Sequence, residues 1–220
     1  MKEVVSFDMD GTITDKKFAD SVWRDGIPRL YKEKYEVGLE EAVKLVEYEY
    51  EKVGEGNIEW YDINYWMKYF NLDFSVEDLL KMYEDKIKIF SDALEALDGL
   101  KDRYTLVLST NAMREFVDVQ IGGIKDYFTY IFSSTSDLGM VKKETKFYIE
   151  VLKEVKVEPE NFYHVGDHNI FDHEVPKKVG INAYLLDREG DYEGDHVVRD
   201  LREFLEILKG GGICYGNCDE

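Results

Sequence analysis

Glu3-Val4-Val5-Ser6-Phe7 runs straight into Asp8-Met9-Asp10-Gly11-Thr12, and the reading of this stretch decides the fold. Its first half has the character of a short buried strand, because β-branched and aromatic residues suit a pleated surface while Asp and Gly end strands. Two carboxylates two residues apart at a strand's end point the same way, since side chains alternate. Buried and ionised together they would repel. Either a divalent cation relieves that repulsion, or one carboxyl keeps a proton through a raised pKa. Both solutions imply chemistry at the carboxyl edge of a strand, where open α/β sheets bind ligands. Taken alone, the stretch is equally a turn, for which Asp and Gly are ordinary residues. A calcium loop is excluded by spacing, because no Glu stands where a loop opened by Asp8 would have to close.

Beyond Thr14 the pattern changes. From about Lys16 to Ile89 the chain is charged and rich in aromatics, with Pro28 its one proline and apolar residues at helical spacing. Leu39, Ala42, Val43 and Val46 form one stripe; Ile63, Trp66, Met67 and Phe70 form another. Gly26, Gly38, Gly54, Gly56 and Asn71 punctuate the run into about four helices, and Ser75-x-x-Asp78 reads as a capping box opening the last. All three tryptophans, Trp23, Trp60 and Trp66, fall here. The segment is expected to be a helical unit inserted after the first strand.

From Ser91 helices and strands alternate. A helix expected from Asp92 to Lys101 leads to a strand from Tyr104 to Ser109, which ends at Thr110-Asn111. A helix near Arg114 to Val119 precedes a strand from Tyr130 to Ser133, and a helix from Glu144 to Val155 precedes one from Phe162 to Val165, which ends at Gly166-Asp167. A helix near Phe171 to Val179, a strand from Ile181 to Leu186 and a helix from Asp200 to Leu208 complete the series. Such alternation predicts an α/β fold: a Rossmann-like, mostly parallel sheet flanked by helices, plus the small all-helical unit. The expected division is a discontinuous α/β core of residues 1–15 and 90–220, with a helical cap over 16–89.

A chain of 220 residues with 44% hydrophobic and 34% charged content has the balance of a soluble globular protein with a sizeable core. The net charge of −19 argues against nucleic-acid binding by charge. Anionic substrates stay compatible with it, because a metal and one lysine reverse the field locally. No apolar stretch is long enough to span a bilayer and nothing resembles a signal peptide, so a cytoplasmic location is expected. Cys214 and Cys218 sit in a glycine-rich tail. Without further ligands they make no zinc site, and they are read as two inert thiols, with a small loop disulfide as the alternative.

What ends each strand is the instructive fact. The first ends in Asp8-x-Asp10, the second in Thr110-Asn111, and the fourth in Gly166-Asp167 with Asp172 five residues on; the lysine pair Lys142-Lys143 follows the third. In a parallel sheet these ends share one edge, so distant residues converge. Asp8 and Asp167 offer hard oxygens to Mg²⁺, and Lys142 and the metal would neutralise a phosphoryl group. The Thr110 hydroxyl would hold its remaining oxygens, and one carboxylate would attack phosphorus, splitting a difficult hydrolysis into two easier steps.

In this combination the sequence resembles the haloacid dehalogenase-like superfamily, in the branch with a helical cap inserted after the first motif. Asp8-Met9-Asp10-Gly11-Thr12 matches that family's D-x-D-G-T, Thr110 after Val107-Leu108-Ser109 its second motif, and Gly166-Asp167-His168-Asn169-Ile170-Phe171-Asp172 its fourth. The third motif departs: members often have Lys-Pro after a Gly-containing loop, whereas Gly139-Met140-Val141-Lys142-Lys143-Glu144 has no proline. Counting from Gly139 favours Lys142, with Lys143 as the alternative. The resemblance implies Asp8 as nucleophile and Asp10 as general acid/base whose main-chain carbonyl also meets the metal. It implies Asp167 as the metal-binding acid, Asp172 as a supporting ligand, and Thr110, Asn111 and Lys142 around the phosphate. It also implies phosphoryl transfer over dehalogenation, because the family's dehalogenases lack an acid two residues after the nucleophile.

The expected function is therefore a Mg²⁺-dependent phosphatase acting on a small phosphorylated metabolite, with no nucleic-acid or membrane partner. A phosphomutase is the rival among enzymes, and a phospho-accepting or non-catalytic binding module the rival from another class. His168 and His173 fit no helical metal-binding pair, and His168 reads as a neighbour of the site. Asn57, Trp60 and Tyr61 are equally substrate contacts or packing and capping residues. Arg24 and Arg29 read as exposed helix arginines, with a clamp for a second anionic group as the alternative. Lys16 and Lys17, near the cap's entry, read as solvated lysines, with the Schiff-base lysine that phosphonate cleavage in the resembled family needs as the alternative.

Overall fold

The computed structural model describes residues 3–142 and 144–210, so Lys143, Cys214 and Cys218 lie outside the described residues. Its sheet is built from β1 (Val4–Phe7), β2 (Thr105–Thr110), β3 (Tyr130–Ser133), β4 (Phe162–Gly166), β5 (Asn182–Leu186) and β6 (Val197–Val198). The order is β3-β2-β1-β4-β5-β6, and every neighbouring pair runs parallel. All four residues of β1 are buried, as a central strand covered on both faces requires. The chain steps outward from β1 to β2 and β3 on one side, then returns to β4 and steps outward on the other. The order therefore reverses between β1 and β4, and such a switch point opens a crevice at the strands' carboxyl ends.

Between β1 and β2 lie α1 (Lys17–Ser21), α2 (Ile27–Tyr35), α3 (Leu39–Val53), α4 (Ile63–Tyr69), α5 (Val76–Met82) and α6 (Ser91–Leu100). A π-helical turn, Val22–Gly26, joins α1 to α2 and makes five α-helical segments where glycine punctuation gives about four. Its cause is local. Pro28 has no N–H for the carbonyl four residues back, and the Ile27 N–H reaches Val22 O instead. The Ser75 hydroxyl accepts from the Asp78 N–H, capping α5 as the sequence pattern requires. These helices bury Phe18, Val46, Ile63, Trp66 and Leu79 against one another, and Phe116 from beyond β2 joins them.

The rest of the chain adds α7 (Arg114–Gln120), α8 (Ser134–Leu138), α9 (Thr145–Val155), α10 (Val175–Lys177) and α11 (Leu201–Leu208). On one face of the sheet, Val5 and Phe7 pack with Leu97, Phe204 and Leu205 from α6 and α11. On the other, Val4, Val107 and Phe162 pack with Phe147, Tyr148 and Val151 from α9. The helix expected near Phe171–Val179 is instead a π-helical turn, Asn169–Glu174, running into the short α10. The pattern around Pro28 recurs: Pro176 withdraws a donor, and the Val175 N–H bonds five residues back to Ile170 O.

The helical insertion leaves and rejoins the core at one point. Thr14 and Ile89 form an antiparallel bridge, Asp15 N–H donates to Lys88 O and Phe90 N–H to Ile13 O, both at 2.9 Å. Among the described residues no helix is long and apolar enough to cross a membrane.

Candidate active site

The carboxyl ends of β1, β2 and β4 open into a cavity of about 510 Å³, lined among others by Asp8, Asp10, Thr110, Asn111, Lys142, Asp167 and Asp172. These are the residues expected from sequence, and the fold brings all of them to one place. Asp8 is fixed because its N–H donates to Val165 O at 3.0 Å, extending the β1–β4 ladder by one residue. The chain then turns tightly, with Met9 O accepting from the N–H groups of Thr12, Ile13 and Thr14. Gly11 has φ +87°, and a side chain there would strike the Asp167 carboxylate. Gly166 is equally constrained: a Cβ would overlap the Asp172 carboxyl group.

Lys142 is 1% exposed, and its Nζ lies 2.7 Å from Asp8 Oδ1 and 2.5 Å from Asp172 Oδ1. Its backbone N–H donates to Asn111 Oδ1 at 2.8 Å, and Ser134 Oγ donates to the same oxygen at 2.7 Å. With Asn111 Oδ1 thus occupied, its amide N–H₂ faces the cavity and Tyr61, 3.5 Å away. Thr110 Oγ1 accepts the Ala112 N–H at 3.1 Å, which leaves the hydroxyl proton to donate.

Charge is heavily concentrated here. Burial pushes the Asp8 carboxyl up to about 8; Lys142 opposes this, while Asp172 and Asp167 add to it. Asp172 goes the other way: burial would raise it, but Lys142 and His164 hold it well below the ordinary carboxylate range. One ammonium thus serves two carboxylates. Lys142 itself is held protonated, because Asp172 and Asp8 outweigh its burial. Burial raises Asp10 to about 6, with Gln120 opposing and Asp167 adding. Asp10 Oδ1 and Gln120 Nε2 are both buried without a hydrogen-bond partner among the described residues.

Carboxylate oxygens of Asp8, Asp167 and Asp172 lie within 4.8 Å of one another, close enough to hold one metal ion. The donor set is all oxygen and hard, which fits Mg²⁺. Like-charge crowding at Asp8 is also what a divalent cation relieves.

Several neighbours escape a reading by motif. Lys16 is not a free solvated lysine: its stem is half out in water, but Nζ meets Asp167 Oδ2 at 2.5 Å. His164, buried in β4, has Nε2 3.0 Å from Asp172 Oδ1 and Nδ1 3.0 Å from Ser6 Oγ. Burial keeps its ring neutral, so the nitrogen facing the carboxylate carries the proton. His168 caps the π-helical turn, its Nδ1 accepting from the N–H groups of Ile170 and Phe171, and its side chain also lines the cavity. His173 stands apart, 3.4 Å from Asn169. Trp60, Tyr61 and Arg24 line the cavity; Asn57 caps α3 through Val53 O, and Arg29 pairs with Asp25. A signal existed for two of these neighbours. His164 is a lone polar residue inside an apolar strand, and Gln120, the chain's single glutamine, shares an inward helix face with Phe116 and Val117.

The sequence model of the haloacid dehalogenase-like hydrolases matches residues 2–180. A crystal structure of a HAD phosphatase from Thermococcus onnurineus superposes with a TM-score of 0.85 at 28% identity, covering 97% of this chain and all of that one. Among curated proteins, the human haloacid dehalogenase-like hydrolase domain-containing protein 3 is 31% identical over 115 residues. That match covers 48% of this chain and 45% of the human protein, so it spans under half the length of that relative. The GMP/IMP nucleotidase YrfG of Escherichia coli (strain K12) is 23% identical over 168 residues, 75% of this chain and 74% of that protein.

Proposed function

Since the chain belongs to the haloacid dehalogenase-like hydrolase family, we propose that it is a Mg²⁺-dependent phosphatase of small phosphorylated metabolites, working through an aspartyl-phosphate on Asp8. The observation that carries this reading is the pairing of two unlike carboxyls in one cavity. Asp8 lies against Lys142 at 2.7 Å, and a cation held with Asp167 and Asp172 would return its carboxyl, otherwise pushed up to about 8, to the ionised form. Asp10, pushed up to about 6, exchanges a proton near neutrality. The phosphatase structure and the nucleotidase relative support the same chemistry.

In the first step the Asp8 carboxylate attacks phosphorus, and the bond to the leaving oxygen breaks as Asp10 gives that oxygen its proton. Lys142, the Thr110 hydroxyl and the Asn111 amide hold the phosphoryl oxygens where charge accumulates. In the second step Asp10, now ionised, takes a proton from water, which attacks the acyl-phosphate and restores Asp8. Asp8, Asp167 and Asp172, with the Asp10 carbonyl, would hold the Mg²⁺, whose charge would offset that of the nucleophile and the phosphoryl oxygens. His164 and the His168 N–H position Asp172, and through it Lys142.

Residues 1–15 and 90–220 act in this scheme as the catalytic core and 16–89 as a cap that closes over the cavity and excludes bulk water. The cluster of buried side chains among these helices, to which the core adds Phe116, and the adjacent entry and exit of the segment at Thr14 and Ile89 support that division. The test is phosphate release from an aryl phosphate with Mg²⁺ present, abolished by EDTA and by Asp8→Asn. Full activity in Asp8→Asn would remove the covalent mechanism.

A further inference from the structure

Two ammonium groups reach the carboxylates at the strand ends, and they are held very differently. Lys142 is buried, with Nζ locked between Asp8 and Asp172. Lys16 sits just past the Thr14–Ile89 bridge, and 56% of its side chain is in water. Its Nζ nevertheless lies 2.5 Å from Oδ2 of Asp167, a carboxylate that is itself largely buried.

This approach is built into the loop. A Cβ at Gly11 would strike both the Asp167 carboxylate and Lys16 Cε, so the glycine opens the path by which the lysine stem reaches the acid. The backbone on either side is fixed. Asp15 N–H donates to Lys88 O at 2.9 Å, and Lys16 O accepts from the Asp20 N–H at 2.8 Å at the start of α1. Freedom therefore belongs to the side chain, whose head can turn into water without moving the chain.

Asp167 is one of the three acids whose oxygens lie within 4.8 Å of one another. A carboxylate already paired with an ammonium is a weaker donor to a metal ion, because its charge is partly neutralised and the two cations repel. Lys142 has no water to retreat into; Lys16 has.

Resting on the Mg²⁺-dependent reading above, we propose that Lys16 is a displaceable counter-ion of Asp167. It competes with the divalent cation for that carboxylate, holds the metal affinity down, and lets go when Asp167 takes up the ion. The coupling is reciprocal: the affinity that Lys16 withholds from the metal is the affinity that Lys16 loses for Asp167 once the metal is held.

Two measurements on the full chain test this, and neither is a rate of turnover. The first is calorimetric titration with MgCl₂ near neutral pH at fixed ionic strength. In Lys16→Met the Kd for Mg²⁺ should fall about tenfold. In Lys17→Met, which removes an equal charge one residue away at an ammonium 3.9 Å from Asp15, it should move by less than about twofold. The second uses the unsubstituted protein, labelled by a brief pulse of acetic anhydride and read by peptide mass spectrometry. Saturating Mg²⁺ should raise acetylation of Lys16 by about threefold or more and leave Lys17 unchanged. Equal or weaker Mg²⁺ binding in Lys16→Met overturns the inference. So does an equal shift in Lys17→Met, or Lys16 labelling that Mg²⁺ does not alter. Absence of Mg²⁺ binding in both the unsubstituted protein and Lys16→Met would instead remove the Mg²⁺ reading, and this inference with it.

Discussion

Asp10 is pushed up to about 6 because burial favours its neutral form, with Gln120 and Lys16 leaning against that and Asp167 adding to it. In the proposed mechanism Asp10 is the general acid, so it must be protonated when substrate arrives. We therefore expect kcat/KM to decline as pH rises through about 6, at saturating Mg²⁺ and constant ionic strength. Asp10→Asn should lower kcat by about 10²–10⁴-fold and abolish that limb of the profile. Gln120→Leu removes one of the two groups, Gln120 and Lys16, that oppose burial at Asp10, so the same limb should move to higher pH. Because Thr14 Oγ1 donates to Gln120 Oε1 at 3.0 Å inside the protein, the substitution should also cost about 1–2 kcal/mol in urea unfolding. An unmoved limb would remove Gln120 from the proton chemistry. At this scale Asp8, Thr110 and Asp167 were legible because each stands at the end of an apolar strand. Lys16, His164 and Gln120 were not, since their partners Asp167, Asp172 and Thr14 are assigned only by the fold.

Among elements, the contact that deserves a measurement joins three helix and loop ends. Arg188, just past β5, donates to Gly11 O at 3.3 Å, to Thr12 O at 3.1 Å and to Asp92 Oδ2 at 2.9 Å. The Leu201 N–H, at the start of α11, donates to the same Asp92 oxygen at 2.9 Å. The loop carrying Asp8 and Asp10 is thereby tied to the beginnings of α6 and α11. Burial raises the Asp92 pKa, but the Leu201 N–H and Arg188 outweigh it, and the net direction is down. A depressed folded pKa contributes stability that is fully present above the unfolded value of about 3.9 and is lost as pH falls through the folded value. Asp92→Ala should therefore lose about 2–4 kcal/mol at pH 7. The gap to the unsubstituted protein should begin to narrow below about pH 4 and shrink further as pH falls through the folded value, by denaturant melts across that range.

Pattern alone located every strand of four or more residues to within about a residue, because each is an apolar run bounded by polar ones. It passed over β6, two valines between His196 and Arg199, and α8, a single turn of Ser-Thr-Ser-Asp-Leu, because neither is long enough to show a period. It also read α-helix where Pro28 and Pro176 turn the backbone π-helical, a consequence of a missing donor that hydrophobic spacing does not register.

For the whole molecule, a formal charge of −19 makes self-repulsion the dominant long-range field. Raising the salt from about 0.01 M to about 0.15 M cuts the screening length from about 30 Å to about 8 Å. The melting temperature should rise by about 2–4 °C for each kcal/mol of repulsion so removed. Scanning calorimetry at the two salt levels checks this; a falling Tm would mean that the surface ion pairs outweigh the net charge.

The bridge between Thr14 and Ile89 has a consequence for the protein's history and for its redesign. Where a long segment begins and ends on neighbouring backbone atoms, the host does not have to span a gap if that segment is exchanged for another of different length. Lineages can therefore trade one helical insertion for another while the strands bearing Asp8, Thr110 and Asp167 stay in register. The same splice, made between Asp15 and Lys88 in the laboratory, is the seam at which the proposed cap can be exchanged without opening the sheet.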